Sequence, residues 1–460
     1  MIVTMNNLKK ITLCILAISA IFAIKPYYGG EITIRLNEPI DFSYSPSNYS
    51  NLVFFSLIYE NFFYLKNNGD IESHIFQDYK YHRQNRILNL ILKDNIAFSN
   101  GNPITPRNIK ISLSLFLDLN LASSRKLRRM VKDIVIDQTN PNKLSIELLY
   151  DDPNIIASLT TPELVVTGGN DQVFSGSFYP VEWVKGQYIL LKPNPFYPGG
   201  RSYLDSIKVV FYDYYYPDVF LSEPGISTTG FEELNAGIYQ NIYLVFPQSK
   251  VGTSTRIALY SLLKDFYTSG ETKLVELKAL TSNEESPITL NIKTFSNRRV
   301  RSILRYSRIQ LYILSSLKNI EESFNRFLQK KRLSIETIYL SDKQIVNFMN
   351  NTQVKYLLMG KTFNRRMPIE EKIKTILKEM SFERFDENYL KLLNQLDEVT
   401  YLKNEELLID LVSRIIEKII KDGFILPLYQ KRYSLYVKDH IRGIELDYYG
   451  KPLFRKVRVK

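Results

Sequence analysis

The stretch LKPNPFYPGGRSYLD, Leu191 to Asp205, places three prolines, two glycines and three aromatic rings between two plain apolar alternations, QYILL before it and SIKVVFY after it. Both flanks read as strands. Two residues such as Asn-Gly would suffice to join a pair of adjacent strands, so so elaborate a connection is built for something else. Gly199 and Gly200 permit backbone angles that strain other residues, and Pro195 and Pro198 stiffen the approach. The rings of Phe196, Tyr197 and the nearby Trp183, the only tryptophan, are expected to bury apolar area and fix the connection against its own domain. The predicted job is architectural: a rigid loop on a central domain.

A chain of 460 residues is too long for one core and implies two or three domains. Hydrophobic content of 45% and charged content of 23% are those of a globular protein. No internal segment reaches the length of a membrane span. At the start, Lys9 and Lys10 precede an uncharged run from Ile11 to Ile24, closed by Lys25-Pro26. This fits a secretory leader over residues 1–30, either cleaved or kept as an N-terminal anchor. Bulky Leu13 argues against a lipid attached at Cys14, the single cysteine, and without Cys14 the exported chain can form no disulfide or thiolate metal site. The net charge of +12 is scattered, with no basic arm and no nucleic-acid motif, so no nucleic-acid partner is expected.

Strands and helices alternate throughout, giving an α/β protein. EITIRL (31–36) reads as a strand, and YSNLVFFSLIYENFFYL (49–65) as a buried helix. RILNLILK is a strand, followed by a helix with Thr105 as N-cap, Pro106 at its first position and Asn108 bonding back, its apolar stripe being Ile109, Leu113 and Phe116. KLSIELLY, VEWVKGQYILLKPN and SIKVVFYD add strands. From Arg256 the chain turns helical, with Leu317, Ile320, Phe324 and Leu328 on one face and, further on, Leu407, Leu411, Ile415 and Ile419 at steps of four before Gly423. FILPLYQKRYSLYV returns to strand.

The order of these pieces is similar to that of extracellular solute-binding protein family 5, the peptide, dipeptide and nickel receptors of ABC importers. The resemblance rests on RLNEPID (35–41), IYENF (58–62), FSNGNPITPRNI (98–109), SGSFYPVEW (175–183), NPFYPGGRSYLD (194–205) and the Arg256, Ala258, Leu259 set. It implies a two-lobed periplasmic-binding-protein type II clamp with an extra inserted domain. Lobe I would combine 31–48, 163–245 and 426–460, the insert 49–162, and lobe II 246–425. It further implies a periplasmic, monomeric receptor that takes a peptide or peptide-like small solute and hands it to a membrane ABC permease. The ligand positions carried over are Asp41, Phe42 and Tyr44 in the early loop, and Phe363, Asn364, Arg365 and Arg366 in YLLMGKTFNRRMPIEE. In this last segment the family's acid, which pairs with a peptide ammonium, is missing. Two guanidiniums stand there instead and would repel an ammonium by about 4 kcal/mol at 4 Å and an effective dielectric of 20. Anionic, blocked or neutral solutes are then preferred, and a metal chelate or anionic conjugate is the alternative ligand. A tethered scaffold or chaperone is the alternative function. Phe246-Pro247 stands where the family has Phe-Asn, which removes a backbone donor.

Catalytic chemistry has little to stand on. His74, His82 and His440 lie at no metal-ligand spacing, there is no Gly-x-Ser-x-Gly or phosphate loop, and no cofactor motif occurs. The expectation is a binding protein with no catalytic residues, no metal and no cofactor.

Overall fold

The computed structural model describes residues 28–36, 40, 49–119, 122–169, 173–211, 216–222, 228–246, 251–269, 275–277, 280–281, 291–314, 317, 321–340, 344, 355–364, 367–379, 387–402 and 405–459. Its backbone is organised by two long strands, Phe231–Val245 and Ile425–Lys438, which pair antiparallel along almost their full length. The half of this ribbon around Phe231–Asn235 and Ser434–Lys438 joins Val219–Ser222, Glu31–Arg35, Ser206–Val210, Tyr188–Pro193 and Phe178–Val184. The other half, from Ile238 onward, joins Tyr356–Asn364, Gln310–Leu314 and Glu336–Leu340. One continuous sheet thus serves two bodies.

Side-chain alternation explains why the second half is apolar on both faces. Tyr239, Tyr243 and Val245 pack into a cluster covered by the helices Ile369–Glu379, Glu387–Leu402 and Glu405–Asp422. Ile242, Leu244 and Phe246 enter a second cluster beneath the helices Thr253–Ser269, Asn297–Leu304 and Glu321–Lys331. A sheet covered on both sides reads as near-continuous hydrophobic sequence, as YLLM and IYLV do here. A third cluster lies between the first half of the sheet and the helix Tyr49–Ile58. A fourth fills an antiparallel sheet ordered Phe76–His82, Ile87–Leu92, Lys143–Leu148, Val131–Ile136, under the helices Pro106–Asp118 and Ala122–Met130.

Local signals account for the element ends. The Pro106–Asp118 helix starts as expected, the Thr105 N–H donating to Asn108 Oδ1 at 2.9 Å, and Ile109, Leu113 and Phe116 are buried. Gly423 takes φ +65 and its N–H bonds Ile419 O at 3.0 Å, ending the last helix in the left-handed cap that glycine favours. Arg256, read only as a matching letter, stops that same helix from the other side. Its guanidinium donates to Asp422 O at 2.7 Å and Val251 O at 2.8 Å and lies over the Phe246 and Phe424 rings.

Three expectations are corrected. The helix beginning at Tyr49 stops at Ile58 rather than running to Leu65, because the Glu60 carbonyl accepts from Val166 and Asn61 bridges to Val165, so this stretch is held extended. Leu407 is exposed, and the buried stripe is Leu411, Val412, Ile415, Ile416 and Ile419. Steps of four overrun a 3.6-residue turn and carry a row off the buried face. Phe196 and Trp183 are also half exposed, and of the three rings offered as anchors only Tyr197 is buried.

The bulge at Asn235/Ile238, where Gly237 adopts φ +63, interrupts the ribbon where its two halves meet. Gly450 comes up against it. At φ +79, a Cβ there would lie 1.8 Å from Ala236 O. Substitution Gly450→Ala is therefore expected to cost more than the roughly 1–2 kcal/mol of a left-handed backbone alone. Urea unfolding should show a loss of 2 kcal/mol or more on that basis, and a midpoint equal to that of the wild type would contradict this close approach.

Candidate ligand-binding cleft

The short hydrogen-bonded crossing between two separately cored bodies defines the candidate site. On one rung of the sheet Asn364 pairs with Ile238, and Ile238 with Tyr433. The Tyr433 ring lies 5.8 Å from that of Tyr49, the first residue of its helix. Two described residues next in the chain to segments singled out from sequence belong to this rung or touch it: Tyr49, which follows residue 48, and Asn364, which precedes residue 365. Asp41, Phe42, Tyr44, Arg365 and Arg366 themselves lie outside the described residues, as does Pro247. Asn364 ends its strand. Phe363 is 2% exposed and packs on Tyr239, 6.0 Å between ring centroids, inside the core beside the site.

Sequence reasoning passed over the polar residues that lie on the ribbon two and three residues further on. Gln240, Asn241 and Gln430 are buried where an ordinary core would hold apolar side chains. Gln430 Nε2 donates to Asn241 Oδ1 at 3.1 Å, Asn241 Nδ2 to Thr281 O at 2.9 Å, and Arg432 Nε to Gln430 Oε1 at 3.1 Å, while Gln240 Oε1 accepts from Tyr433 OH at 3.4 Å. Lys372 is buried with its ammonium over the Tyr239 ring. The available signal was the interruption of apolar runs in IYQNIYLV and LPLYQKRYSLYV. Among the described residues no group of three His, Cys, Asp or Glu could hold a metal ion, and no helix is long and apolar enough to cross a membrane.

Three of the motifs that carried the family resemblance, IYENF, SGSFYPVEW and NPFYPGGRSYLD, converge elsewhere, on one buried knot. Glu60 of IYENF receives Tyr197 OH at 2.7 Å on Oε2 and is hydrogen-bonded to His74 Nδ1 at 2.8 Å through Oε1. Its N–H donates to Ser175 Oγ at 3.0 Å, and Ser175 Oγ donates to Val166 O at 2.6 Å. Asn194 Nδ2 holds Gly176 O at 3.0 Å, and a Cβ on Gly176 would lie 2.4 Å from Ile58 C. Asn61 Nδ2 donates to Leu164 O at 3.0 Å, and its Oδ1 accepts from the buried ammonium of Lys451. Arg455 reaches Glu72 at 3.1 Å. Burial first, and then the Glu60 charge, push the Tyr64 and Tyr197 phenols well above the ordinary range, so both remain O–H donors. This knot answers the question posed by the proline- and glycine-rich connection. The loop delivers the buried Tyr197 to the buried Glu60 carboxylate and so joins parts of the chain 137 residues apart.

Residues 71–221 match the family described as "Bacterial extracellular solute-binding proteins, family 5 Middle". Residues 71–221 thus resemble the middle segment of that family. The resemblance read from sequence holds there, in a family named for solute binding outside the cell rather than for catalysis. A curated relative, the "Probable D,D-dipeptide-binding periplasmic protein DdpA" of Escherichia coli (strain K12), is 26% identical over 160 residues, covering 31% of this chain and 30% of that protein. The aligned stretch thus spans under a third of the relative. Solved structures extend the likeness to the whole fold. The E. coli murein tripeptide binding protein MppA superposes with TM-score 0.71 at 13% identity, over 93% of this chain and 98% of that one. The oligopeptide-binding protein AppA from Bacillus subtilis, in complex with a nonapeptide, gives 0.69 at 14% over 95% and 100%. NikA from Staphylococcus aureus, in complex with Ni(L-His)2, gives 0.67 at 16% over 94% and 100%. The segment that resembles family 5 therefore sits in a type II periplasmic-binding-protein fold, as expected.

Two outcomes follow. Phe363→Ala removes a buried ring and should destabilise the protein by about 3–5 kcal/mol in chemical denaturation; an unchanged midpoint with lost binding would instead make it a ligand contact. Asp447, whose carboxylate accepts the N–H of Tyr449 and of Lys451 at 2.8 Å each, is raised to about 6 by burial, partly offset by Lys451. The folded state then holds this proton more tightly than the unfolded chain. Its contribution to stability is greatest below the unfolded value and falls as pH rises from about 4 to 6, by about 2–3 kcal/mol for a shift of two units. Asp447→Asn should remove that decline, gaining on the wild type as pH rises from 4 to 7. Parallel pH–stability curves would contradict it.

Proposed function

We propose that this protein is the solute-binding receptor of an ABC importer, capturing a peptide or peptide-like solute between two closing lobes and delivering it unaltered to a membrane permease. The observation that supports this best is the single sheet shared by two separately cored bodies, joined by a ribbon bulged where they meet, in a chain whose residues 71–221 resemble the middle segment of family 5. On this reading lobe I comprises 31–48, 163–245 and 426–460, the insert 49–162, and lobe II 246–425. Residues 1–30 direct export to the periplasm and are either removed or retained as an anchor. The receptor is monomeric and performs no catalysis.

Asp41, Phe42, Tyr44, Asn364, Arg365 and Arg366 are the proposed contacts; what supports this is that Asn364 pairs with Ile238 where the lobes meet and that Tyr49, which follows the first segment in the chain, packs on Tyr433 of the same rung. With two arginines and no acid in the second segment, the preferred solute is anionic, neutral or blocked at its amino end. Native mass spectrometry of protein purified from its own envelope should reveal a co-purifying solute of peptide-like mass. Calorimetry with that solute should show Arg365→Glu with Arg366→Glu weakening binding at least about tenfold, which is about 1.4 kcal/mol. Empty protein that also ignores a broad peptide library would overturn the receptor reading, and unchanged affinity in the double variant would remove the arginines from the site.

A further inference from the structure

We propose that the inserted domain and lobe II carry a reversible ionic latch, built on Arg129 and Asp397, that biases the clamp toward its closed state. The inference rests on the two-lobed receptor reading above and adds a control on its closure. The helix Ala122–Met130 turns Leu127 and Met130 into the core of the inserted domain and packs against the helix Ile369–Glu379 of lobe II. Arg129 reaches out of the insert to Asp397 Oδ2 at 2.5 Å. Lys126 and Arg129, three residues apart, share one helix face. Glu370, Glu371 and Asp397 supply the opposite charge from lobe II, with Lys126 acting on Glu370 and Glu371 on Arg129.

Two features make this contact a latch rather than a weld. The first is its exposure. The Arg129 side chain is 50% exposed and Asp397 17%, whereas the pair that ties the insert to lobe I, Glu60 with Tyr197, is 1% and 7% exposed. A buried knot separates only by stripping desolvated groups of their partners, while a half-solvated pair is replaced by water at little cost. The insert therefore travels with lobe I, and its bond to lobe II is the one that opens. The second feature is that the lobe II side is preset. Buried Lys374 holds Asp397 Oδ1 at 3.1 Å and Glu371 Oε1 at 3.1 Å and lies 3.4 Å from Thr400 Oγ1. Burial works against the Asp397 charge, but Arg129 and Lys374 outweigh it and keep the carboxyl below its ordinary range. Lys374 keeps that carboxylate charged and in position after Arg129 leaves, ready for its return.

The test is a distance measurement between the two bodies by double electron–electron resonance. Spin labels at Gln138→Cys on the insert and Glu406→Cys on lobe II, with Cys14→Ser, report it without any ligand. At about 10 mM salt, where charges act over about 30 Å, the short-distance population should dominate; about 1 M salt, which cuts that reach to about 3 Å, should shift it toward longer distances. Arg129→Glu should already show the longer distances at low salt, with a closed-to-open ratio lowered roughly two- to tenfold, and Arg129→Lys should restore part of it. Arg129 is half exposed, so all variants should melt with the wild type. Identical distance distributions in wild type and Arg129→Glu at both salts, with a tripeptide library still shortening the distance in both, would remove the latch and leave the receptor. A distance that neither salt, the variant nor the library alters would overturn both.

Discussion

The fold depends on one antiparallel ribbon. Phe231–Val245 and Ile425–Lys438 each belong to two cores, contributing Leu234, Ala236, Ile238, Tyr433, Leu435 and Val437 to the first body and Tyr239, Tyr243, Val245 and Ile425 to the second. A strand's alternation fixes which face each residue serves, so a slip of one residue would empty both cores at once. The two bulges lengthen one strand and then the other without breaking the ladder. Such irregularity lets a sheet bend while its register stays fixed. Rigid halves with a bend between them are what capture by closure requires.

The chain crosses this ribbon and returns, so lobe I has to be assembled from pieces far apart in sequence. Hydrophobic clustering alone specifies such assembly poorly, since apolar surfaces are interchangeable. The Glu60, His74, Tyr197, Asn61, Lys451 and Arg455 knot supplies direction. Glu60 with Tyr197, Asn61 with Lys451 and Glu72 with Arg455 are pairs whose members come from distant segments, and leaving a buried charge unpaired costs several kcal/mol. The Tyr49 hydroxyl donating to Gly450 O at 2.8 Å ties the same C-terminal turn to the first helix, beside the bulge.

Much of this was legible in sequence because it is local. Thr105, Pro106 and Asn108 start a helix by contacts within four residues, and Gly423 ends one in the same way. Long-range partnerships left only indirect traces. Glu60 and Tyr197 stand 137 residues apart, and Glu72 and Arg455 stand 383 apart, so both appeared as isolated motif letters. The exposed Trp183 and Phe196 show the opposite failure, since an aromatic ring in a turn carries no sign of which way it faces. The polar residues Gln240, Asn241 and Gln430 were visible as a break in apolar strands, yet their meaning needed the knowledge that two lobes meet there.

Small-angle X-ray scattering of the protein stripped of solute by unfolding and refolding, compared with the same sample after its co-purifying solute is returned, tests the central claim directly. The account requires the radius of gyration to fall on binding, with the pair-distance curve losing its longest vectors as the lobes swing together about the ribbon. Superimposable curves in the presence of a solute shown by mass to be bound would mean that the two bodies do not move, and that the shared ribbon is a strut rather than a hinge.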